Sequence, residues 1–354
     1  MENETITPPI QTPTVVYVQP QGSGRIALMV LLSTAIGFAM PVIACGFLMF
    51  ITFLSFATLG SAVPTGAGSG PVSTGTGDAV AIIRVEGTIT SGEADEFVDG
   101  TAVSGVVISD LRAAEADPTI KAIVLLVDSP GGTVTGSKEI YEVIKEINKP
   151  IVVSMGALAA SGGYYISAPA NYILARSDTW TGSIGVISQV ITAEELLNEV
   201  GVDVVIITSG ENKSIGSPFR EMTPEQIAIF QALVDESFAE FVQVIVEGRG
   251  LSESVVRELA DGRIYSGRQA VTNGLVDALG TLQDAVAKAA ALGGISGTPR
   301  IVEYEHVPSF SALLTGFSAQ ANRSEAEQLL QMIQTLTLPT QEYRFVGPTI
   351  GSGQ

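Results

Sequence analysis

Three short segments of this chain hold residue types that together could open an amide bond. Ser161 lies in Ala157-Leu158-Ala159-Ala160-Ser161-Gly162-Gly163, just ahead of the helical pattern YYISAPA. The free N–H groups and dipole of a helix N-terminus favour an alkoxide there, and the flanking Ala and Gly let a carbonyl approach. A serine in the same place also serves as an ordinary helix cap. Lys213 lies in Glu211-Asn212-Lys213-Ser214-Ile215-Gly216-Ser217-Pro218, after the strand-like VDVVIIT. A lysine becomes a proton acceptor when burial draws its pKa from about 10.4 toward 7–8, whereas on a solvated loop it is only a charge. Asp128-Ser129-Pro130-Gly131-Gly132 follows the apolar run AIVLLV. A Pro-Gly-Gly turn can aim N–H groups at a developing oxyanion from about 3 Å, and it can equally be a plain reversal.

Scarcity narrows the chemistry. The only histidine is His306 and the only cysteine is Cys45. HExxH and CxxC metal motifs and an internal disulfide are therefore excluded, and a Ser-His-Asp triad has one histidine to draw on. His306 sits in the strand-like IVEYEHVPS, remote in sequence from the three segments, and reads as packing or surface. No cofactor and no metal are expected. The net charge of −19 argues against nucleic acid, which needs clustered Lys and Arg, and reads as a solvated exterior.

The elements that must carry these loops alternate strand-like and helical patterns. AVAIIRVEG, SGVVISDLRAAEAD, IKAIVLLVDSP, TGSKEIYEVIKEI, PIVVSMG and SGGYYISAP succeed one another. Continuous apolar strands such as AIVLLV imply burial on both faces of a mostly parallel sheet, and such folds place their sites at strand ends. The spacing predicts a long amphipathic helix over Pro224–Gly248 and two short helical pieces in VVRELADGRIYSGRQAVTNGLVDALG. The segment from about Leu338 reads as an irregular tail.

Five regions follow: a polar, Pro-rich tail (1–25), an uncharged apolar block (26–63), a Gly/Ser/Thr/Pro linker (64–78), a catalytic body (79–300) and a C-terminal extension (301–354). The apolar block, Ile26–Val63, is long enough for one membrane span. Arg25 precedes it and no basic residue follows until Arg84, which favours a cytoplasmic N-terminus and an exported body. Rival readings are two short spans broken near Pro41, signal-peptide cleavage near Ala62 and a lipoprotein site at Cys45.

In combination and order, the motifs resemble the signal peptide peptidase A family of serine–lysine peptidases in its short, single-repeat form. The stretches that carry the resemblance are Asp128–Gly132, Ala160–Tyr165, Trp180-Thr181-Gly182-Ser183-Ile184-Gly185-Val186, Lys213–Pro218, Arg263–Gly267 and Gly274–Asp277. The resemblance implies an α/β fold with the ββα spiral core of Clp proteases and crotonases. It implies Ser161 as nucleophile, Lys213 as general base, Ser183 as the residue orienting Lys213, and Gly131 and Gly132 as the oxyanion turn. It further implies a ring-shaped, octameric homo-oligomer with sites shared between protomers.

The function so implied is membrane-anchored hydrolysis of peptides such as signal-peptide remnants outside the cytoplasm, with small or aliphatic residues beside the cut. Two rivals share the fold: an inactive membrane scaffold and a crotonase-type acyl-CoA enzyme. A dead scaffold has no chemical reason to keep Ser161, Lys213 and Ser183 together, and the crotonase reading accounts for neither the apolar block nor the serine and lysine.

Overall fold

The apolar runs pair side by side. The structure, a computed structural model, describes residues 71–93, 100–304 and 341–344. All fall in the second of two compact units, Met1–Gly66 and Ala67–Gln354. The Ile26–Val63 block and His306 lie outside the described residues. Among those residues, no helix is long and apolar enough to cross a membrane.

The chain order begins β1 (Pro71–Thr74), β2 (Ala79–Glu86), β3 (Thr88–Thr90), β4 (Thr101–Val103) and α1 (Ser104–Ala116). Then come β5 (Ile120–Ser129), β6 (Gly131–Thr133), α2 (Val134–Glu146), β7 (Ile151–Ala160) and α3 (Gly162–Ser167). β8 (Tyr172–Ala175), β9 (Trp180–Gly182), β10 (Ile187–Ser188), α4 (Glu194–Glu199) and α5 (Pro224–Arg249) follow. The rest are α6 (Glu253–Leu259), β11 (Ile264–Ser266), α7 (Gly267–Thr272), β12 (Ala278–Leu279), α8 (Leu282–Leu292), β13 (Arg300–Tyr304) and β14 (Gln341–Arg344). Units such as β5–β6–α2 run strand, strand, helix, with the first strand in one sheet and the second in another.

The larger sheet runs β1-β13-β2-β5-β7-β8-β12, with β9 joined to β7 and β11 to β9. Strands β13, β2, β5, β7 and β8 are parallel. Successive side chains on a strand face opposite ways, so one strand can serve two cores. In β2, Ala81, Ile83 and Val85 enter a cluster with Leu111, Ile140 and Tyr164, while Val80 and Ile82 face Ala285 and Ala289 of α8. Both faces are therefore covered, as the unbroken apolar runs require.

The second sheet runs β10-β14-β6-β3-β4. Its member β14 corrects the reading of the residues after Leu338 as irregular. The four residues Gln-Glu-Tyr-Arg have no apolar period of their own, and flanking strand edges define the strand. Likewise Pro71–Thr74, inside the stretch read as linker, pairs antiparallel with β13.

Helix α5 follows the sequence reading closely. Thr223 and Gln226 form a reciprocal capping box, Pro224 opens the helix, and Gly250 closes it at φ 64°. Its later half buries Phe241, Val242, Val244 and Ile245, while Ile227, Ile229 and Leu233 near its start are exposed. The run VDVVIIT, read as a strand, forms none here, and Val205 and Ile207 are 82% and 92% exposed. Its apolar residues find no strand partner among the described residues.

Candidate active site

The site is built where β7 outgrows its neighbour. From Ile123↔Ile151 to Val127↔Met155 the β5–β7 register is constant, and then Ser129 pairs with Ala159. Strand β7 thus carries two more residues than β5 between these pairs, a bulge at Gly156–Leu158 that bends the strand. The Asp128 carboxylate fills the gap in the ladder, accepting from the Leu158 N–H at 2.9 Å. A Cβ at Gly156 would lie 2.7 Å from the Asp128 carboxyl carbon, so glycine is needed there. At the bulge β7 also changes partners, from β8 at Val152–Met155 to β9 at Leu158–Ala160.

Ser161 ends this strand. It is 1% exposed, with φ 53° and ψ −116°, and its side chain makes no capping bond to α3. The capping alternative therefore fails. A non-glycine residue held at positive φ is strained, and such strain gathers at functional turns from strand to helix. The turn is pinned by Ser161 N–H donating to the Gly182 carbonyl at 2.8 Å and by Tyr165 N–H donating to the Ser161 carbonyl at 2.8 Å.

Ser183 is the neighbour of that turn. Ala160 pairs with Gly182, so the next residues, Ser161 and Ser183, leave the two strands together. Ser183 has φ 48°, is 9% exposed, and donates its N–H to the Arg263 carbonyl at 2.8 Å. Beneath it, a Cβ at Gly182 would lie 2.6 Å from the Tyr265 ring. Tyr265 is fixed in turn by its hydroxyl, which donates to the Leu259 carbonyl at 2.9 Å.

The glycine turn lies on the other side of the Ser161 loop. The Ser129 hydroxyl donates to the Gly87 carbonyl at 2.6 Å and accepts from the Gly131 N–H at 3.0 Å. Gly131 has φ 92°, and a Cβ on it would lie 2.5 Å from the Gly162 nitrogen. Gly132 sits in β6 between Ile89 and Tyr343. The structure therefore brings Ser161, Ser183, Gly131 and Gly132 into one neighbourhood.

Lys213 is not brought in. It is exposed, on a turn spanning Glu211–Gly216, and no hydrogen bond links its side chain to Ser161 or Ser183. Burial, the condition attached to a lysine base, is absent within this chain. The turn itself is held, since the buried Gln226 side chain donates to the Glu211 carbonyl at 3.1 Å and to Asn212 Oδ1 at 3.4 Å. Ser129, Gly162, Tyr265 and Gln226 were not singled out from sequence. For Gly162 a signal existed, because the N–H following a nucleophile at such a turn is a regular oxyanion donor. Among the described residues, no group of three or more His, Cys, Asp or Glu side chains could hold a metal ion.

Residues 144–296 match the family profile of Peptidase family S49, and residues 95–176 match that of Clp protease. The chain is 41% identical over 255 residues to slr0021 of Synechocystis sp., named as a candidate protease, covering 71% of this chain and 87% of that one. The chain belongs to peptidase family S49. Protease 4 of Haemophilus influenzae is 40% identical over 218 residues, which are 60% of this peptidase and 34% of that protein. A candidate signal peptide peptidase of Enterococcus faecium is 41% identical over 182 residues, 51% of this chain and 53% of the relative. The S49 member described here is a serine peptidase with an α/β core of the Clp protease kind.

Proposed function

We propose that this peptidase hydrolyses peptide bonds through Ser161 and Lys213. The observation that carries the reading is the backbone of Ser161. It is held at positive φ at a strand-to-helix turn, free of a capping role, beside a glycine turn. In the mechanism, Ser161 Oγ attacks the carbonyl carbon while Lys213 Nζ takes the hydroxyl proton. The tetrahedral oxyanion is met at the Gly131–Gly132 turn and by the N–H of Gly162, with Ser129 keeping that turn in shape. The C–N bond then breaks and the leaving amine takes the proton from Lys213. Water attacks the acyl-enzyme, again giving its proton to Lys213, and the acid is released as Ser161 recovers its own.

Lys213 is exposed and makes no hydrogen bond to Ser161 or Ser183 of its own chain. We propose that it serves a neighbouring protomer, with Ser183 there orienting its amine, in a ring-shaped, octameric homo-oligomer. The exposed Val205, Ile207, Phe219 and Ile227 near the Lys213 turn supply apolar contact area for such a neighbour. The Ile26–Val63 block would anchor the body at the membrane as a single span, with the body on the extracytoplasmic side. Peptides left in the membrane after signal-peptide removal are the substrates this placement favours, in keeping with the name of the Enterococcus relative.

The test is a peptidyl fluorophosphonate applied to the assembled protein and read by mass spectrometry. One adduct on Ser161, absent in Lys213→Ala, is expected. An assembled oligomer that takes no adduct overturns the reading.

A further inference from the structure

Helix α5 has two unlike halves. Its second half is seated on α3, the helix that leads away from Ser161. Phe241 meets Tyr165 edge-on at 5.1 Å between ring centroids, and a Cβ on Gly248 would lie 2.3 Å from the carbonyl oxygen of Ala168, which caps α3. The first half stands clear of the body. Between Pro224 and Glu236 only Gln226 is buried, and Gln226 is the residue that holds the Lys213 turn. One helix therefore joins the seat of Ser161 to the carrier of Lys213.

The last residue of α5 ties the helix to the larger sheet. Arg249 Nη2 lies 2.7 Å from Asp277 Oδ1, with the arginine side chain 7% exposed. Asp277 is itself fixed to β8: its Oδ2 accepts the Ile173 N–H at 2.7 Å, and its own N–H donates to the Ile173 carbonyl at 3.0 Å. Beside the pair, the buried Tyr164 of α3 donates its hydroxyl to the Leu275 carbonyl at 2.8 Å. Two further ion pairs, Lys138–Glu240 and Lys145–Glu247, join α5 to α2. Both are solvent-exposed, and such pairs contribute little.

The Arg249–Asp277 pair is a poor device for stability and a good one for direction. Arg249 Nε is buried without a hydrogen-bond partner among the described residues, and an apolar side chain would stabilise such a position as well or better. A guanidinium fork against a fixed carboxylate, by contrast, defines one approach. From Phe241 to Arg249 is about 12 Å of helix, and from Phe241 back to Gln226 about 22 Å. With Phe241 as pivot, a slip at Arg249 is roughly doubled at the Lys213 turn. Misplacing a catalytic group by about 1 Å can cost about a hundredfold in rate.

We infer that Arg249 is a positioning residue for peptide hydrolysis: paired with Asp277, it sets the direction of α5 and so the place of Lys213. It acts through α5, Gln226 and the turn at Glu211–Gly216, and not on the substrate. The inference rests on Lys213 being the base of a site shared between protomers. It adds that this base is aimed from the far end of the helix that bears it.

The test co-assembles two full-length chains in detergent: Ser161→Ala, which contributes only its lysine, and Lys213→Ala, which contributes only its serine. The double change Arg249→Met/Asp277→Asn is then placed in one chain or the other. It leaves no lone buried charge, and the asparagine still accepts from Ile173. In the lysine donor it is expected to lower kcat at least about tenfold, with KM for a short peptide within about twofold. In the serine donor kcat should stay within about twofold, and Arg249→Lys, which still reaches Asp277, should retain most activity in either. A loss that follows the serine donor, or no loss in either, overturns the inference. A parent mixture without activity removes the sharing of sites and leaves the clamp to a second measurement. Nitroxide labels at Glu225→Cys and Gln283→Cys, in a Cys45→Ser chain diluted with unlabelled chains, report the distance from the tip of α5 to the body. The double change should broaden that distribution by about 2 Å or more, and an unchanged distribution overturns the clamp whichever serine Lys213 serves.

Discussion

Ser161 and Ser183 leave neighbouring strands side by side, one residue past the Ala160↔Gly182 pair, and they are the two non-glycine residues at positive φ among the described residues. Each is locked by a main-chain bond to the other side: Ser161 N–H to Gly182, Ser183 N–H to Arg263. The Ser161 turn is thus braced by β9, which leads into Ser183, and the Ser183 turn by the residue leading into β11. Ser161 keeps its hydroxyl out of a capping bond because the backbone, not the side chain, holds the turn.

Replacing Ser161 by alanine leaves every one of those main-chain bonds in place. Peptide hydrolysis is expected to fall to background, with the thermal midpoint within a few degrees of wild type. Retained hydrolysis in Ser161→Ala would remove it as nucleophile.

A lysine accepts a proton only as the free amine, so hydrolysis should increase with rising pH where the chemical step limits the rate. Lys213→Ala should abolish this limb together with the activity. A pH-rate profile that is flat under single-turnover conditions would exclude a titrating base.

Ser129 is fully buried and bonded on both sides, to Gly87 and to Gly131. Ser129→Ala leaves the Gly87 carbonyl and the Gly131 N–H short of a partner, at a cost of about 1–3 kcal/mol. Denaturant unfolding should show that loss, and kcat should fall with it because the glycine turn relaxes. Stability unchanged within a few tenths of a kcal/mol would show that the turn holds its shape alone.

Gln226 joins the cap of α5 to the turn carrying Lys213. Gln226→Leu should lower kcat while KM for a short peptide changes little, since the turn and not the peptide groove is disturbed. Gln226→Glu, which can still cap the helix but cannot donate to the Glu211 carbonyl, should lose activity to a similar degree. Wild-type kcat in both variants would separate the cap from catalysis.

If the Lys213 turn completes a neighbour's site, charge on the exposed apolar run should dissolve the assembly. The double variant Val205→Asp/Ile207→Asp is expected to scatter light as a monomer and to lose hydrolysis, with the fold intact by circular dichroism. An active monomer would place the whole site within one chain.

Helix α5 was legible because propensity, capping and period agree over Pro224–Arg249, and the apolar strands because burial on both faces leaves no polar break. VDVVIIT was misread for a related reason. Its composition suits a strand, yet strandhood depends on a partner edge, and none meets it among the described residues. β14 shows the converse, since a sequence without strand character becomes one between two edges. The candidate serine was visible in its motif, but whether it caps the helix turned on a backbone geometry that no residue type reports.

The bulge in β7 bears on how activity can be lost by descent. A two-residue deletion within Gly156–Leu158 would preserve the inside-outside alternation of the strand, because side chains repeat every second residue. The sheet would close over it, and each catalytic side chain would still be encoded. Ser129 and Ala159 would still pair, so Ser161 would keep its register. The bend at which β7 changes partner from β8 to β9 would be lost, however, and with it the placing of Ser161 beside Ser183. A homologue could in this way retire from catalysis with its motifs intact, and the residue count between Met155 and Ala159 would disclose it.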